Sequence, residues 1–360
     1  MDFRKKIDTV FAPLIGEKCV IFNLPYYPNP GDALIWMGME QFFSQNGVTC
    51  LYRASAESFV YRPLDKDVVI CFVGGGNFGD LWTGDGELMV SKIAQLYPEN
   101  RIIVFPQSVH YCSAKKMKID AAILSKHSDL YICARDEKSY NLLEQNFANN
   151  KILYAPDMAL YLNFDKDNTK PIRKLLLLER IDKEAVDYSC LKVFEADITD
   201  WPMMLPNTRY DSVYKKNKRL RHKILRILAK YCTTRLFIPI YQVFACHFLS
   251  VLKKSNVSYE LKWHYVLSEL NYMVYVAKTF GVKLNLLVDW FAYEYFMPIQ
   301  VEYAVEFIKK YERIITTRLH AGVLAFLLDR QVELVDNSYG KISALYNAWL
   351  SEYSKICMKR

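Results

Sequence analysis

The stretch Thr317-Arg318-Leu319-His320-Ala321-Gly322 separates a short apolar run at residues 313–316 from a longer one at residues 323–328. The first run is typical of a buried parallel strand and the second of a helix, so the stretch marks a strand that leads directly into a helix. Such a junction places the free N–H groups and positive dipole end of the helix at the carboxyl edge of the sheet. An arginine and a histidine in that first turn predict a compact anion site. The alternative is a capped surface helix with both side chains in solvent.

In the first half of the chain, six predicted strands alternate with loops and helices. Helices are expected at residues 33–45, 87–97, 114–126 and 138–146, and Asp32 is placed to cap the first of them. The apolar runs that predict strands are residues 18–24, 48–52, 68–73, 101–105, 129–134 and 152–155. This alternation predicts a doubly wound parallel sheet.

The second half predicts another α/β domain. Expected helices cover residues 260–280, 300–311 and 342–353, besides the one that follows Arg318 and His320. Expected strands cover residues 173–178, 191–196, 284–288, 313–316 and 331–335. The sequence therefore divides into an N-terminal domain (1–165), a C-terminal domain (171–340) with an insertion at 202–259, and a final helix (341–360) that packs across both domains.

Composition excludes several classes of protein. The chain has 360 residues, of which 52% are hydrophobic and 24% charged, as in folded globular proteins and unlike disordered ones. Its nine cysteines are scattered singly without a Cys-x-x-Cys pair, which argues against disulfides and against a zinc site. The first residues lack the apolar core of a signal peptide, so the sequence predicts a cytoplasmic protein. No His, Asp and Glu cluster has ligand spacing, and no metal or cofactor is expected.

The net charge of +8 is concentrated in one segment. Residues 213–259 contain eleven Lys and Arg and no Asp or Glu, so the remainder of the chain is net −3. Residues 215–230 place apolar side chains on one helical face, as in interfacial amphipathic helices, and the apolar run 236–252 is interrupted by Pro239. These features predict that residues 213–256 bind an anionic membrane surface on the inner face of the cell membrane, and not nucleic acid. The alternative is a helical hairpin packed on the second domain.

Chemically useful side chains follow several predicted strands of the first half. They are Asp32, His110, Arg135 and Asp157, and each alone could equally be a helix cap, a surface side chain or a member of an ion pair. The carboxyl ends of parallel strands meet at one edge of an open α/β sheet, which is where such sheets bind ligands. Their shared placement therefore predicts one site at that edge.

A glycine-rich stretch, Gly74-Gly75-Gly76-Asn77-Phe78-Gly79, follows the third predicted strand. It formally contains the Gly-x-Gly-x-x-Gly pattern of dinucleotide-binding proteins, but a lone match is weak. The glycines do not follow the first strand, and the next strand ends in Pro106-Gln107 where an acid for the ribose hydroxyls is expected. The stretch therefore indicates only a close approach of backbone to a ligand or another loop.

Eight motifs, in order and spanning about residues 29–341, resemble those of the polysaccharide pyruvyl transferases. The arginine-leucine-histidine motif and the last motif are the most specific, and residue 321 is Ala where many members have Gly. Residues 202–259 match no part of the family pattern. The motifs are Asn29-Pro-Gly-Asp-Ala-Leu, Val73-Gly-Gly-Gly-Asn-Phe-Gly-Asp, Phe105-Pro-Gln-Ser-Val-His, Ala134-Arg-Asp-Glu-Lys-Ser, Ala155-Pro-Asp-Met-Ala, Arg180-Ile-Asp-Lys-Glu, Thr317-Arg-Leu-His-Ala and Asp336-Asn-Ser-Tyr-Gly-Lys.

The resemblance implies two Rossmann-like domains arranged as in GT-B glycosyltransferases, with the active site in the cleft. It also implies the reaction: phosphoenolpyruvate and a sugar diol give a cyclic pyruvate ketal and phosphate. Arg135, Arg318, Leu319 and His320 would contact phosphoenolpyruvate, with His110 close by. A lipid-linked oligosaccharide of surface polysaccharide synthesis is the expected acceptor, since its diphosphate would favour the basic segment.

The residue types suit this chemistry. Two arginines can each bind one anionic group of phosphoenolpyruvate, and a histidine can deliver a proton to the methylene carbon near neutral pH. His320 is the first choice for that acid and His110 the second. Residues expected to line the cleft or bind the acceptor are Asp32, Gly75, Gly76, Asn77, Asp157, Arg180, Glu184, Ser338 and Lys341.

Two other functions remain open from the sequence. A GT-B glycosyltransferase would use a nucleotide sugar, but it would normally carry an acid-containing nucleotide-binding element in the second domain, and the motif at residues 336–341 is not one. A non-catalytic partner protein could keep the fold, but the joint presence of Arg135, Arg318 and His320 argues against it.

Overall fold

A computed structural model describes residues 1–81, 87–164, 170–180, 195–204, 257–280, 285–336 and 340–359, together with Pro239. These residues form two sheets of parallel strands connected by helices, which confirms the predicted α/β fold with two doubly wound domains. The basic insertion predicted at residues 202–259 lies almost wholly outside the described residues. Among the helices of the described ranges, none combines the length and apolar content needed to cross a bilayer.

The first sheet has seven parallel strands, and both of its faces are covered. Cys19 and Ile21 of the first strand lie in one apolar cluster, and the alternate residues Val20 and Phe22 lie in another. Burial on both faces explains why these strands are near-continuous apolar runs. The strands are β1 (Lys18–Phe22), β2 (Thr49–Ala54), β3 (Val69–Phe72), β4 (Gly75–Gly79), β5 (Ile102–His110), β6 (Leu130–Ala134) and β7 (Lys151–Tyr154), in the spatial order β2-β1-β3-β5-β6-β7 with β4 paired to β5.

The glycine-rich stretch is a strand and not the expected loop. β4 runs beside the last residues of β5, which continues through Pro106 and Gln107 to His110 instead of ending at residue 105. The Gln107 side chain donates to the Val73 carbonyl at 2.9 Å and so ties the end of β5 to the residue that follows β3. The sheet thus has one more short strand next to the site, and its high glycine content is the reason that the sequence did not predict it.

Helices of the first domain are α1 (Phe3–Phe11), α2 (Pro30–Gln45), α3 (Glu87–Leu96), α4 (Ala114–Leu124) and α5 (Glu137–Asn146). The prediction that Asp32 caps α2 was wrong, because the helix begins earlier. Asn29 is the cap, and its side-chain oxygen accepts from the Gly31 N–H at 3.1 Å. Pro30 fits the first helical position because its fixed φ suits a helix and its missing N–H is not needed there. Asp32 therefore lies in the first turn with its carboxylate available to the cleft.

The second sheet has five parallel strands in the order β12-β11-β10-β8-β9. The stretch at residues 317–322 follows the carboxyl end of its central strand, β10, as predicted. The strands are β8 (Arg173–Leu178), β9 (Asp197–Thr199), β10 (Tyr311–Thr316), β11 (Gln331–Leu334) and β12 (Ile356–Met358), and the helices are α6 (Tyr259–Phe280), α7 (Asn285–Phe291), α8 (Met297–Lys309), α9 (Leu319–Leu327) and α10 (Lys341–Leu345).

One strand prediction in this domain is wrong. Residues 285–288 of the apolar run expected to form a strand belong to α7, which passes through a π-helical turn (Ala292–Phe296) into α8 as one continuous helix. Leu287, Val288 and Phe291 are buried at helical spacing, but the short run used for the prediction cannot distinguish a helix from a strand. Most of the strand expected at residues 191–196 lies outside the described residues, and a short strand, β9, follows at Asp197–Thr199.

The C-terminal segment is not one long helix. α10 continues as a π-helical turn (Tyr346–Leu350), and the chain then forms β12, which pairs with β11. Trp349 in the π-helical turn donates its indole N–H to the Arg135 carbonyl oxygen at 2.6 Å, so the segment does contact the first domain. The predicted contact with the first domain is therefore made by α10 and its π-helical turn, which together are shorter than the predicted helix.

The two domains share one continuous apolar core around α2. This core includes Phe42 of α2, Trp263 of α6 and Val323 of α9. Gly38 of α2 packs so closely on the turn after β7 that a Cβ atom there would lie 2.0 Å from the Met158 carbonyl oxygen. The close contact requires glycine at that position, and it fixes α2 between the sheets with its N-terminus at the cleft.

A buried carboxylate also joins the domains. Asp289 of α7 accepts hydrogen bonds from the hydroxyls of Tyr26 and Ser58, each at 2.6 Å. Burial raises the pKa of Asp289 to about 7, although the hydrogen bonds from Ser58 and Tyr26 and the charges of Arg62 and Arg53 lower it. The helix from the second half thereby holds the loop that leads into α2.

Asp289→Asn is expected to remove a pH dependence of stability. The folded protein keeps a proton on Asp289 that the unfolded chain, with a pKa of about 3.9, loses between about pH 4 and 7. The free energy of unfolding of the wild type should therefore fall through this window and level off above it. The variant keeps an acceptor oxygen and should show no such fall. Urea unfolding at about pH 5 and 8 measures it; equal pH effects in both proteins would contradict the assignment.

Candidate active site

A cavity of about 370 Å³ lies between the carboxyl ends of the two sheets. The first domain contributes the entry to α2 and part of β4, and the second contributes the starts of α9 and α10 and segments after β8 and β9. This is the edge at which the sequence placed the site. The lining residues are Tyr27, Pro28, Asn29, Gly31, Asp32, Gly76, Asn77, Arg180, Trp201, Met204, Arg318, Leu319, His320 and Lys341.

Arg135 and Asp157 form a fully buried ion pair behind this cavity. Arg135 follows β6, and its Nη1 donates to Asp157 Oδ2 while its Nε donates to the Ser108 hydroxyl at 2.9 Å. Burial opposes ionisation of Asp157, but the charges of Arg135 and His320 and hydrogen bonds from His320 and the Ala159 N–H outweigh it and lower its pKa. Asp157 is therefore a carboxylate that fixes the guanidinium, not an exposed acceptor-binding group.

His320 lies in the first turn of α9 and is 9% exposed. Its Nε2 lies 3.4 Å from Asp157 Oδ2, the same oxygen that Arg135 contacts. On its other side the ring packs against the start of α2, where a Cβ atom on Gly31 would lie 2.7 Å from His320 Nδ1. One ring nitrogen is thus held by a carboxylate and the ring is positioned by a glycine, an arrangement that orients an acid–base group.

Arg318 is held by a second buried acid. Its Nε and Nη2 contact the two oxygens of Asp200, the second at 2.5 Å, and Asp200 is 1% exposed. The bidentate geometry fixes the guanidinium plane, since both donors are engaged by one planar carboxylate. Arg318 nevertheless lines the cavity. The alternative of a surface helix with this side chain in solvent is wrong, because Arg318 is only 5% exposed.

The remaining cations lie around the glycine-rich strand. Lys341 Nζ would lie 2.5 Å from a Cβ atom on Gly76, and Arg135 Nη2 would lie 3.4 Å from it. Gly75 adopts a φ of +145°, a conformation that favours glycine. Asn77 completes this part of the cavity wall. The glycine-rich strand therefore brings backbone close to cations from both domains.

The loop before α2 forms the acidic side of the cavity. Asp32 Oδ2 accepts from the Tyr27 hydroxyl at 2.8 Å and from the Asn29 amide at 2.7 Å. Across the cavity lie Arg180, whose N–H contacts the Thr317 hydroxyl at 3.4 Å, and Leu319. Carboxylate, amide and phenol groups of this kind suit sugar hydroxyls.

His110 lies outside the main cavity. It lines a small adjoining pocket of about 20 Å³ with Ser108, Gly76 and Lys341, and its Nε2 contacts Cys112 Sγ at 3.4 Å. Two other predicted residues, Glu184 and Ser338, lie outside the described residues. Within the described ranges, no group of three or more His, Cys, Asp or Glu side chains is arranged to hold a metal ion.

Sequence reasoning missed several residues of the site. Asp200 was passed over because the strand before it was expected to end at residue 196, so Asp200 was taken for an acidic residue in a loop. In the structure it directly follows β9, at the carboxyl edge of the sheet where the site lies. Ser108 and Gly31 were quoted only as parts of motifs. For Gly31 the signal was present, since a glycine after a helix-starting proline indicates a close approach.

Comparisons with known proteins agree with this geometry. Residues 29–339 match the model of the polysaccharide pyruvyl transferase family. EpsO of Bacillus subtilis (strain 168), named as a pyruvyl transferase, is 29% identical over 355 residues, which cover 97% of this chain and 91% of EpsO. Pyruvyl transferase 1 of Schizosaccharomyces pombe is 24% identical over 181 residues, covering 47% of this chain and 45% of that protein.

A crystal structure of a functionally uncharacterized protein from Klebsiella pneumoniae superposes on all of this chain and on 99% of its own, with a TM-score of 0.57 and 17% identity. That likeness concerns the fold alone. The family match, in contrast, spans both domains and includes Arg135, Asp157, Arg318 and His320. On that match, the chain belongs to the polysaccharide pyruvyl transferase family.

Proposed function

We propose that this protein transfers pyruvate from phosphoenolpyruvate to two hydroxyls of a sugar, forming a cyclic ketal and releasing phosphate. The observation that carries the proposal is the convergence of Arg318, His320 and Lys341 on one cavity, with a nitrogen of Arg135 directly behind Gly76. Phosphoenolpyruvate has a phosphate and a carboxylate on three carbons. Cationic side chains at separate points of one cavity can bind the phosphate and the carboxylate of this molecule at the same time.

The reaction balances with one histidine and no redox step. A proton moves to the methylene carbon, and the central carbon becomes electrophilic enough for the first sugar hydroxyl to add. The second hydroxyl then forms its C–O bond as the C–O bond to phosphate breaks, with the electron pair leaving on the phosphate oxygen. Two hydroxyl protons are released: one restores the acid and the other leaves with phosphate.

His320 is proposed as the acid, held by Asp157. Its Nε2 lies 3.4 Å from Asp157 Oδ2, and this contact orients the ring for proton transfer in the cavity. Arg318, fixed by Asp200, holds one anionic group of the donor, and the N-terminus of α9 adds a favourable dipole. Asp32 at the opposite wall is proposed to bind acceptor hydroxyls.

The test is direct. The purified protein is incubated with phosphoenolpyruvate and a panel of sugars, and the products are examined by mass spectrometry for the pyruvate ketal, with phosphate release measured in parallel. Formation of a ketal with an equal amount of phosphate is the expected result. Transfer of sugar from a nucleotide sugar, without any ketal, would favour the GT-B glycosyltransferase instead.

A lipid-linked oligosaccharide is the proposed acceptor, with residues 213–256 binding an anionic membrane on its cytoplasmic face. The proposal rests on the charge of this segment, which lies outside the described residues except for Pro239. Each basic residue near an anionic surface contributes about 1 kcal/mol. The full chain should therefore float with phosphatidylserine liposomes and a chain lacking residues 213–256 should not. Equal flotation of the two, or none by either, would contradict the proposal.

A further inference from the structure

We propose that the hydrogen bond between Tyr26 and Asp289 positions the acceptor wall of the cavity, which consists of Tyr27, Asn29 and Asp32. The two side chains set the affinity for the sugar acceptor without contacting either substrate. This inference rests on the proposed function, because it takes Asp32 to bind the acceptor. It goes further in giving a role in substrate binding to α7, which contributes no residue to the cavity within the described ranges.

The acceptor wall is carried by the loop between β1 and α2. Tyr27 and Asn29 of this loop donate hydrogen bonds to Asp32 Oδ2, and all three residues line the cavity. Two prolines fix φ within the loop, and the Asn29 N–H donates to the Tyr27 carbonyl oxygen at 2.8 Å. The loop is therefore stiff, and a shift of the residue before Tyr27 displaces the wall residues together.

That preceding residue, Tyr26, is tied to the second half of the chain. Its hydroxyl donates to Asp289 Oδ1 at 2.6 Å, and Asp289 is buried in the interior. In such buried surroundings a hydrogen bond is electrostatically stronger than in water, so the contact holds the phenol in one position. The acceptor wall thus begins directly beside an anchored side chain.

Asp289 is itself held independently of Tyr26. Its Oδ1 also accepts from the Ser58 hydroxyl at 2.6 Å, and Ser58 exchanges two hydrogen bonds with Ser55, at 2.9 and 3.1 Å, in the turn after β2. One helical turn earlier in α7, the Asn285 amide donates to the Ser58 carbonyl oxygen at 2.7 Å. α7 therefore contacts this turn at two points, and Asp289 is a fixed acceptor for the Tyr26 hydroxyl.

The hydroxyl of Tyr26 can be separated from the packing of its ring. The ring centroid lies 5.9 Å from that of Trp36, a fully buried side chain of α2. A phenylalanine would keep this apolar contact but would lack the directional contact with Asp289. Tyr26→Phe therefore removes the positioning hydrogen bond and leaves the aromatic packing in place.

The experiment compares the steady-state kinetics of the wild type and Tyr26→Phe, with phosphoenolpyruvate and the sugar of the panel that gives the most ketal. The KM for the sugar should rise about five- to twentyfold, as expected for the loss of one buried hydrogen bond. The KM for phosphoenolpyruvate and kcat should stay within about twofold, because the cationic side chains of the cavity lie on other elements.

Tyr161→Phe is the matched control. The Tyr161 side chain is also buried, and its hydroxyl also donates to a carboxylate, Asp8 Oδ1 at 2.9 Å, but this contact lies on α1. The control variant should keep the wild-type KM for both substrates. Asp289→Asn keeps an accepting oxygen and should retain the wild-type KM for the sugar, whereas Asp289→Leu should raise it as Tyr26→Phe does.

Amide hydrogen exchange across residues 23–32 supplies a readout that needs no turnover. Exchange should be faster in Tyr26→Phe and Asp289→Leu than in the wild type, and unchanged in Tyr161→Phe. An unchanged KM for the sugar in Tyr26→Phe, or an equal rise in Tyr161→Phe, would overturn the proposal. If no sugar yields a ketal, the proposed function fails, and unchanged exchange in Tyr26→Phe would then overturn the positioning role by itself.

Discussion

His320→Ala is expected to lower kcat for phosphate release from phosphoenolpyruvate by about 10²- to 10⁴-fold, the usual contribution of a positioned acid. The histidine begins α9 at the cavity, and Asp157 and Gly31 fix its ring on two sides. Among the residues that the structure describes, no other imidazole lines this cavity. Removing it leaves the methylene carbon without a proton donor, while the two arginines can still bind substrate. The measurement is the initial rate at saturating phosphoenolpyruvate and acceptor.

His110→Ala is the matched control for this prediction. His110 lies in the small adjoining pocket against Cys112, and its loss should leave kcat within about tenfold of the wild type. Melting temperatures of both variants should stay close to that of the wild type. Near-normal turnover in His320→Ala combined with loss in His110→Ala would transfer the role of the acid to His110.

Arg135→Ala is expected to cost about 3–5 kcal/mol of the free energy of unfolding, because it leaves the Asp157 carboxylate buried without its cation. Adding Asp157→Asn should recover a large part of that loss, since the double variant no longer buries an unpaired charge. The single variant therefore cannot serve as a simple test of substrate binding. Urea unfolding of the wild type, Arg135→Ala, and Arg135→Ala/Asp157→Asn measures the three stabilities.

The pH dependence of these stabilities provides the control. Arg135 and His320 lower the pKa of Asp157 in the folded protein, so its ion pairing stabilises the fold above the unfolded pKa, about 3.9, and this stabilisation is lost as the pH falls. The difference between wild type and Arg135→Ala should accordingly narrow below about pH 4. A difference that stays constant across this range, or no recovery in the double variant, would show that Asp157 is not the charge involved.

The sequence predicted the fold wherever a buried parallel strand led into a helix. All of Val69–Phe72 and the last three residues of Tyr311–Thr316 are buried, so their apolar runs identified these strands without further information. The same logic placed Arg135 and Asp157 at the carboxyl edge of the first sheet and His320 at the carboxyl edge of the second. It did not reveal that Asp157 contacts the other two, because the distance between chain segments 163 residues apart depends on how the domains pack.

Tertiary packing decided the elements that the sequence did not predict. β4 is a glycine-rich strand of low intrinsic propensity that exists because the end of β5 offers it an unpaired edge. α7 is helical because it continues into α8, beyond the window of the apolar run that suggested a strand. Asp200 gains its role only through Arg318, a residue 118 positions away.

The single core that α2 shares with both sheets has a consequence for folding cooperativity. Apolar clusters normally mark independent folding units, yet here one cluster extends from Phe3 through Trp263 to Ile356. If either half unfolds, the apolar residues of the other half that pack on α2 become exposed to water. The two sheets should therefore unfold in one transition. The residues of the candidate active site would then be lost together and not domain by domain. A fragment that ends at residue 165 would expose its share of this core to water, because the residues of the second half that cover it are missing. We therefore expect that this fragment does not fold alone.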